Sequence, residues 1–503
     1  MARLLTLLDV GFLFVGLVIV RHLNRRKDTV PLPPGPKKRF LLGNLLDMPT
    51  SKEWTTFAAW GGKWGNMVSV SVFGQQMIIL NSAKTASDLL DKKGSIYSDR
   101  PRMEMGGELV GWKNTLVLVG YGERFRNYRR LFHQLIGSHD SMSQFNHVEE
   151  IETHKFLKRL LCSPQNLAEH VRRTAGAIIL RISHGYTIKE DNDPFVHLAN
   201  VATEQFSLST SPGTFLVNLV PALRKLPDWL PGTGFKSTAR EWAATLNEMI
   251  ESPYQYVKDQ MASGTAPPSF TSNLLEEPNL TPEQEFDIKW SAGSLYSGGA
   301  DTTVSAIYAF FKAMAIYPDV AAAAQAEIDS VVGMDRLPSF SDRDDLPFVN
   351  ALVLEVLRWH SVVPLSVPHV VTEDDIHDGY FIPKGSLVIA NIWEMLHDPN
   401  VYSDPMSFNP QRFLGPNAEP DPRQACFGFG RRICPGRIMA EASIFISCVM
   451  TLAAFNISKY EENGQVIEPI VDQTTGTISH PVAFKCSIKP RSEKALALIN
   501  AEV

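Results

Sequence analysis

Near the C-terminal end, Phe427-Gly428-Phe429-Gly430-Arg431-Arg432-Ile433-Cys434-Pro435-Gly436 sets one cysteine in a glycine-rich loop, with an arginine two residues before it and Pro-Gly after. A thiolate that binds iron must be deprotonated, shielded from water and supplied with hydrogen bonds that tune its electron donation. Gly428, Gly430 and Gly436 let backbone N–H groups turn toward the sulfur, because glycine tolerates angles that other residues resist. The run over 437–445 reads as a helix, whose N-terminal dipole favours a thiolate at Cys434. A lone cysteine in such a chain is more often inert and buried in a tight turn. The spacing of the whole loop decides against that plainer reading.

Phe427, Gly430, Arg432, Cys434 and Gly436 match F-x-x-G-x-R-x-C-x-G at every position, and on these residues the chain resembles the cytochrome P450 family. The resemblance implies that Cys434 is the axial thiolate of a haem b iron, a ligand that pushes electron density toward O–O cleavage. It also implies that Arg432 pairs with a haem propionate, that Phe427 packs near the sulfur and that Gly436 belongs to the same cofactor loop. Phe125-Arg126-Asn127-Tyr128-Arg129 stands where the family has W-x-x-x-R, so Arg129 is implied as a second propionate partner. Phe125 occupies the tryptophan position; it can pack there but has no N–H to donate. His369, in Val367-Pro368-His369, matches a third propionate position, although a single histidine is more often a satisfied core residue.

These groups need a long element to face them. Residues 282–317 read as one helix, started at Thr281-Pro282 and stopped at Pro318. Inside it lies Gly298-Gly299-Ala300-Asp301-Thr302-Thr303, and adjacent glycines in a helix interior cost stability. One reading is close packing of a neighbouring element. The other is a local opening beside the haem, with Asp301 and Thr302 as an acid–alcohol pair that resembles the family's A/G-G-x-D/E-T-T. Activating dioxygen takes two protons at the distal oxygen, and a hydroxyl backed by an acid is a suitable relay. Glu355 and Arg358 fit E-x-x-R; with Arg412 in Phe408-Asn409-Pro410-Gln411-Arg412-Phe413 they are expected to form a buried structural network.

The 503 residues hold 44% hydrophobic and 20% charged side chains, an ordinary globular composition, and the net charge of −6 gives no sign of nucleic acid binding. Five cysteines without CxxC spacing fit a reducing compartment rather than a disulfide framework. Cys426 lacks the arginine and Pro-Gly context and reads as structural. Residues 4–20 are apolar apart from Thr6 and Asp9 and are followed by Arg21, Arg25, Arg26 and Lys27, which predicts an uncleaved transmembrane anchor over 1–21 with the body in the cytosol. Residues 22–36, basic and then proline-rich, read as a hinge. Residues 37–503 are expected to be the catalytic domain.

Along that domain, residues 67–72 and 76–80 read as a β-hairpin, 363–369 as a strand and 379–390 as another hairpin. Residues 102–120 read as a loop over a pocket. Arg124, Arg126 and Arg130 read either as a solvated face or as a patch for an acidic electron donor. Thr474-Thr475-Gly476-Thr477 resembles the turn that closes the family's pocket. The resemblance therefore implies a mainly α fold with small β-sheets in a single large domain. It further implies insertion of one oxygen atom from O2 into an apolar substrate, with electrons from NADPH through a cytochrome P450 reductase, or from cytochrome b5, at the endoplasmic reticulum membrane. Ile96-Tyr97-Ser98-Asp99-Arg100-Pro101 and the cysteine loop resemble fungal members from secondary metabolism, so a terpenoid or similar metabolite is the expected substrate. Two other classes remain: a haem-thiolate dehydratase or isomerase that does not use O2, and a non-catalytic membrane haem protein.

Overall fold

A capping box starts the element on which the rest is stacked. The Thr281 hydroxyl accepts from the Gln284 N–H, the Gln284 side chain accepts from the Thr281 N–H, and Pro282 takes the first helical position. The resulting helix, Pro282–Ile316, has 35 residues and so spans about 50 Å. The computed structural model describes residues 30–190, 192–211 and 213–502. The expected anchor at 1–21 and the first residues of the hinge lie outside the described residues.

The helices that build the site are α1 (Glu123–Ile136), α2 (Leu167–His184), α3 (Pro194–Thr210), α4 (Phe235–Ala262), α5 (Pro282–Ile316), α6 (Pro347–Trp359) and α7 (Arg437–Ala454). Helix α5 belongs to two cores. Its first half sets Trp290, Leu295 and Tyr296 against Ile178 and Ile179 of α2, Ile250 of α4 and Phe125 of α1. Its second half sets Phe310, Phe311 and Met314 against Leu352 and Val356 of α6 and Phe445 and Val449 of α7. Ala300 is in the first core and Val304 in the second, so Asp301, Thr302 and Thr303 lie at the seam. Helix α7 is apolar enough to cross a membrane by length and composition. With 78% of it buried, it is a core helix.

Strands β1 (Met67–Val72) and β2 (Gln75–Leu80) form the expected antiparallel hairpin, with Val70 opposite Met77. The other strands are β3 (His369–Val370), β4 (Asp375–His377), β5 (Tyr380–Ile382), β6 (Leu387–Ala390), β7 (Phe455–Glu462), β8 (Gln465–Ile467) and β9 (Cys486–Pro490). They make three small sheets: β1-β2-β6-β3, β4-β5 and β8-β7-β9. The region 379–390 is not one hairpin. Tyr380–Ile382 pairs back to Asp375–His377, and Leu387–Ala390 joins the first sheet parallel to β2. Of the expected 363–369 strand only His369 is paired, together with Val370 just beyond it, since Pro364 and Pro368 lack the N–H a ladder needs.

The segment 31–36 is docked on this body. Pro31 O accepts from Phe381 N at 2.8 Å and Pro34 O from Ser69 N at 2.9 Å. Residues 102–120 are also more ordered than a loop: Glu104–Val110 is helical, and Met105, Val110 and Trp112 are buried in the first core.

Candidate active site

Cys434 stands directly before α7, whose N-cap is Gly436. Its N–H donates to Phe427 O at 2.9 Å, which closes the loop on itself. Burial pushes the Cys434 thiol above its usual value, while the Gly436 N–H, Arg129 and Arg437 pull toward the thiolate. The loop fits only because Gly430 has no side chain: its φ is +56°, and a Cβ there would meet Leu90 O at 2.0 Å. Cys426 is also enclosed, and burial drives its thiol well above the usual range.

Around the loop lie three half-buried guanidinium groups. Arg129 of α1 donates to Ile433 O at 2.7 Å, beside the cysteine. Arg432 donates to Ser98 O at 2.8 Å, Val119 O at 2.8 Å and Leu116 O at 3.3 Å. Arg100 donates to Val117 O at 3.0 Å, Val367 O at 2.6 Å and Pro368 O at 2.9 Å. Among the described residues, none of the three has a carboxylate within ion-pair distance; all their partners are backbone carbonyls. Asp99 is near, but its carboxylate is occupied by the N–H groups of Arg100 and Tyr121. Burial holds Arg432 down to about 10. Burial also holds Arg100 well below its usual value, with the charge of Arg432 adding to the effect. His369 shares this corner: its Nδ1 meets Tyr97 O at 2.7 Å, and burial and the charge of Arg100 hold it well below its usual value, so it is neutral.

Phe125 is 4% exposed, and the Arg432 guanidinium lies 3.9 Å from its ring centroid. Where an indole would offer an N–H, this chain offers a π-face to the same arginine.

On α5, the two glycines divide the alternatives between them. A Cβ on Gly299 would meet Ile179 of α2 at 2.9 Å, which is close packing; one on Gly298 would meet nothing within 4 Å. The Thr302 hydroxyl donates to Gly298 O at 2.6 Å. Asp301 turns away from it and meets Nε2 of His480 at 3.0 Å. The acid and the alcohol are thus sequence neighbours without a direct hydrogen bond. Arg124, one of the three expected patch arginines, is ion-paired to Glu283 and Asp287 of α5.

The cytochrome P450 family model matches residues 33–486. Cytochrome P450 monooxygenase 208 of Postia placenta is 54% identical over 506 residues, covering 100% of this chain and 99% of that relative. Cytochrome P450 monooxygenase claR of Ampulloclitocybe clavipes is 45% identical over 99% of this chain and 93% of its own length. Cytochrome P450 monooxygenase CLM2 of Gibberella zeae is 43% identical over 97% and 94%. The chain belongs to the cytochrome P450 family.

Family membership makes it an oxidoreductase of the monooxygenase type and implies a haem-thiolate cofactor. The residues of this P450 fit such a group. A half-buried thiol receives a backbone N–H, and three half-buried arginines without carboxylate ion pairs are what two propionates would neutralise. Arg100 was missed in the sequence. It sits in Ser98-Asp99-Arg100-Pro101, and the only local signal was an arginine fixed between an acid and a proline.

Proposed function

We propose that this P450 inserts one oxygen atom from O2 into an apolar natural product, a terpenoid or similar fungal metabolite. Electrons would come from NADPH through a membrane-bound P450 reductase, with cytochrome b5 as a second donor. The observation that carries the reading is the charge-unbalanced arginine cluster closed around the cysteine loop. Cys434 would ligate the haem iron, Arg129, Arg432 and Arg100 would hold the propionates, and His369, whose Nδ1–H is already given to Tyr97 O, would join them by taking up a proton at Nε2. Bound there, a thiolate-ligated haem supplies the activation of dioxygen. Phe125 would keep Arg432 in place through its ring, and Phe427 and Gly436 would shape the sulfur's surroundings.

Asp301 and Thr302 would move protons to the distal side. Thr302 already holds its hydroxyl against Gly298 O, where the open space above Gly298 leaves room for a water between hydroxyl and acid. Their presence favours O2 chemistry over dehydration or isomerisation, neither of which needs a proton relay of this kind.

Membrane attachment through an anchor at 1–21 and a hinge at 22–36, at the endoplasmic reticulum, belongs to the same proposal. Support comes from exposed Phe40, Leu41 and Leu46, and from exposed Leu216 and Val220 on a short segment whose Leu219 packs, like Leu45 and Met48, against the apolar cluster of Phe57, Val70 and Ile79. An apolar surface of that kind marks a lipid or protein contact. The test is incubation with reductase, NADPH and a panel of terpenes, read by mass spectrometry. Products heavier by one oxygen, formed only with NADPH and O2, are expected. Products formed equally without NADPH would overturn the reading.

A further inference from the structure

His480 and Asp301 meet in the lining of a cleft of about 680 Å³, open to solvent, that runs between α2, α3 and the 474–480 loop. Glu169, Arg172 and Arg173 of α2 and His197 and Glu204 of α3 line its walls. The cleft contains neither Cys434 nor Thr302. Asp301 is therefore the residue that touches both sides: its carboxylate faces the cleft, and its backbone neighbour is Thr302 at the seam of the two cores.

The loop that carries His480 is pinned independently of Asp301. Ser479 N donates to Val362 O at 2.8 Å, and Ser479 O accepts from the Ser305 hydroxyl at 2.6 Å. His480 N donates to the Thr474 hydroxyl at 2.9 Å, and the Thr477 and Thr210 hydroxyls meet at 2.9 Å. With the loop fixed by these bonds, the imidazole is surplus to its anchoring. Behind it, His360 is enclosed between Ser305 and Ser479, and burial pushes it down to about 3, so it stays neutral and passes no charge forward.

We propose that His480 is a positioning residue for proton delivery: it holds the Asp301 carboxylate in the lining of the cleft, so that protons reach Thr302 from this side of the molecule. The step moves only protons. A proton from cleft water passes to the Asp301 carboxylate, then through an intervening water to the Thr302 oxygen, as Thr302 gives its own hydroxyl proton onward. This inference rests on the relay reading of Asp301 and Thr302.

The experiment needs no identified substrate. Haem-loaded full-length protein is supplied with reductase, NADPH and O2, and peroxide released per NADPH is measured; oxygen that receives its protons in full leaves as water instead. His480→Ala is expected to lower the share of oxygen carried to water on the order of tenfold, short of the hundredfold or more of losing a proton donor outright. His480→Gln, which can still donate to Asp301, should recover part of it. Ser305→Ala loosens the loop without touching the ring and should leave the ratio unchanged; an equal effect would make His480 a mere loop anchor and overturn the proposal. If Thr302→Ala raises peroxide and His480→Ala does not, the relay stands and the proposal falls. If neither does, the relay reading itself fails, and the proposal with it. Independently of turnover, the ring signal of His480 in 15N-histidine spectra, assigned by its loss in His480→Gln, should shift in Asp301→Asn. An unmoved signal would also overturn the proposal.

Discussion

Two arginine clusters of this P450, one fully buried and one half-buried, differ in what they are paired with. Arg358 and Arg412 share Glu355: Arg358 grips it with two bonds of 2.7 and 2.8 Å, and Arg412 adds one of 3.1 Å and a second carboxylate at Glu419. Arg100, Arg129 and Arg432 have carbonyls alone. Removing a charge from water costs several kcal/mol unless it is paired, so the first cluster is complete as folded and the second is complete only with an anion. The lesson is that charge balance, more than burial, separates a structural network from a binding site.

The largest way to break the comparison is Glu355→Ala. It strands the Arg358 guanidinium, leaves Arg412 with Glu419 alone, and should cost about 3–5 kcal/mol, read in urea unfolding of both haem-free and haem-loaded protein. Arg432→Leu should behave oppositely. The haem-free protein should be no less stable, while haem affinity falls by roughly 1.5–3 kcal/mol, the worth of a charged hydrogen bond; a drop in haem-free stability matching that of Glu355→Ala would erase the distinction. Arg100→Leu should follow Arg432→Leu.

Glu149 is the mirror case, a fully buried carboxyl with no cation at ion-pair distance. Ser443 donates to it at 2.6 Å, and its second oxygen has no partner. Burial raises it from 4.5 to about 8. The fold thus favours the neutral acid: its contribution is present below about 4.5 and is lost as pH rises toward about 8. Glu149→Gln should flatten the decline of stability across that window in unfolding curves; an unchanged slope would remove Glu149 as its source. The smallest effect is expected at Glu283→Ala, where an exposed carboxylate paired with Arg124 should contribute below about 1 kcal/mol.

What the sequence made legible follows the same division. The cysteine loop, the E-x-x-R pair and the proposed acid–alcohol pair stand out in the sequence because the residues of each lie a few positions apart. The start of α5 was readable because Thr281, Pro282 and Gln284 are a local capping signal. Arg100 was not, since its role depends on carbonyls at 117, 367 and 368 that only the fold brings to it. His480 was invisible for the same reason, 179 positions from Asp301. The strand expected over 363–369 failed because apolar content outweighed two prolines in the reading, and in a ladder the missing N–H groups prevail.

The most direct test of the account is the absorption spectrum of the purified protein, reduced and exposed to carbon monoxide, beside Cys434→Ser and Arg432→Leu. The account predicts a strongly red-shifted Soret band in the parent, its loss in Cys434→Ser, and the same band at lower haem content in Arg432→Leu. A parent band at the position of a neutral axial ligand, or full haem loading in Arg432→Leu, would contradict it.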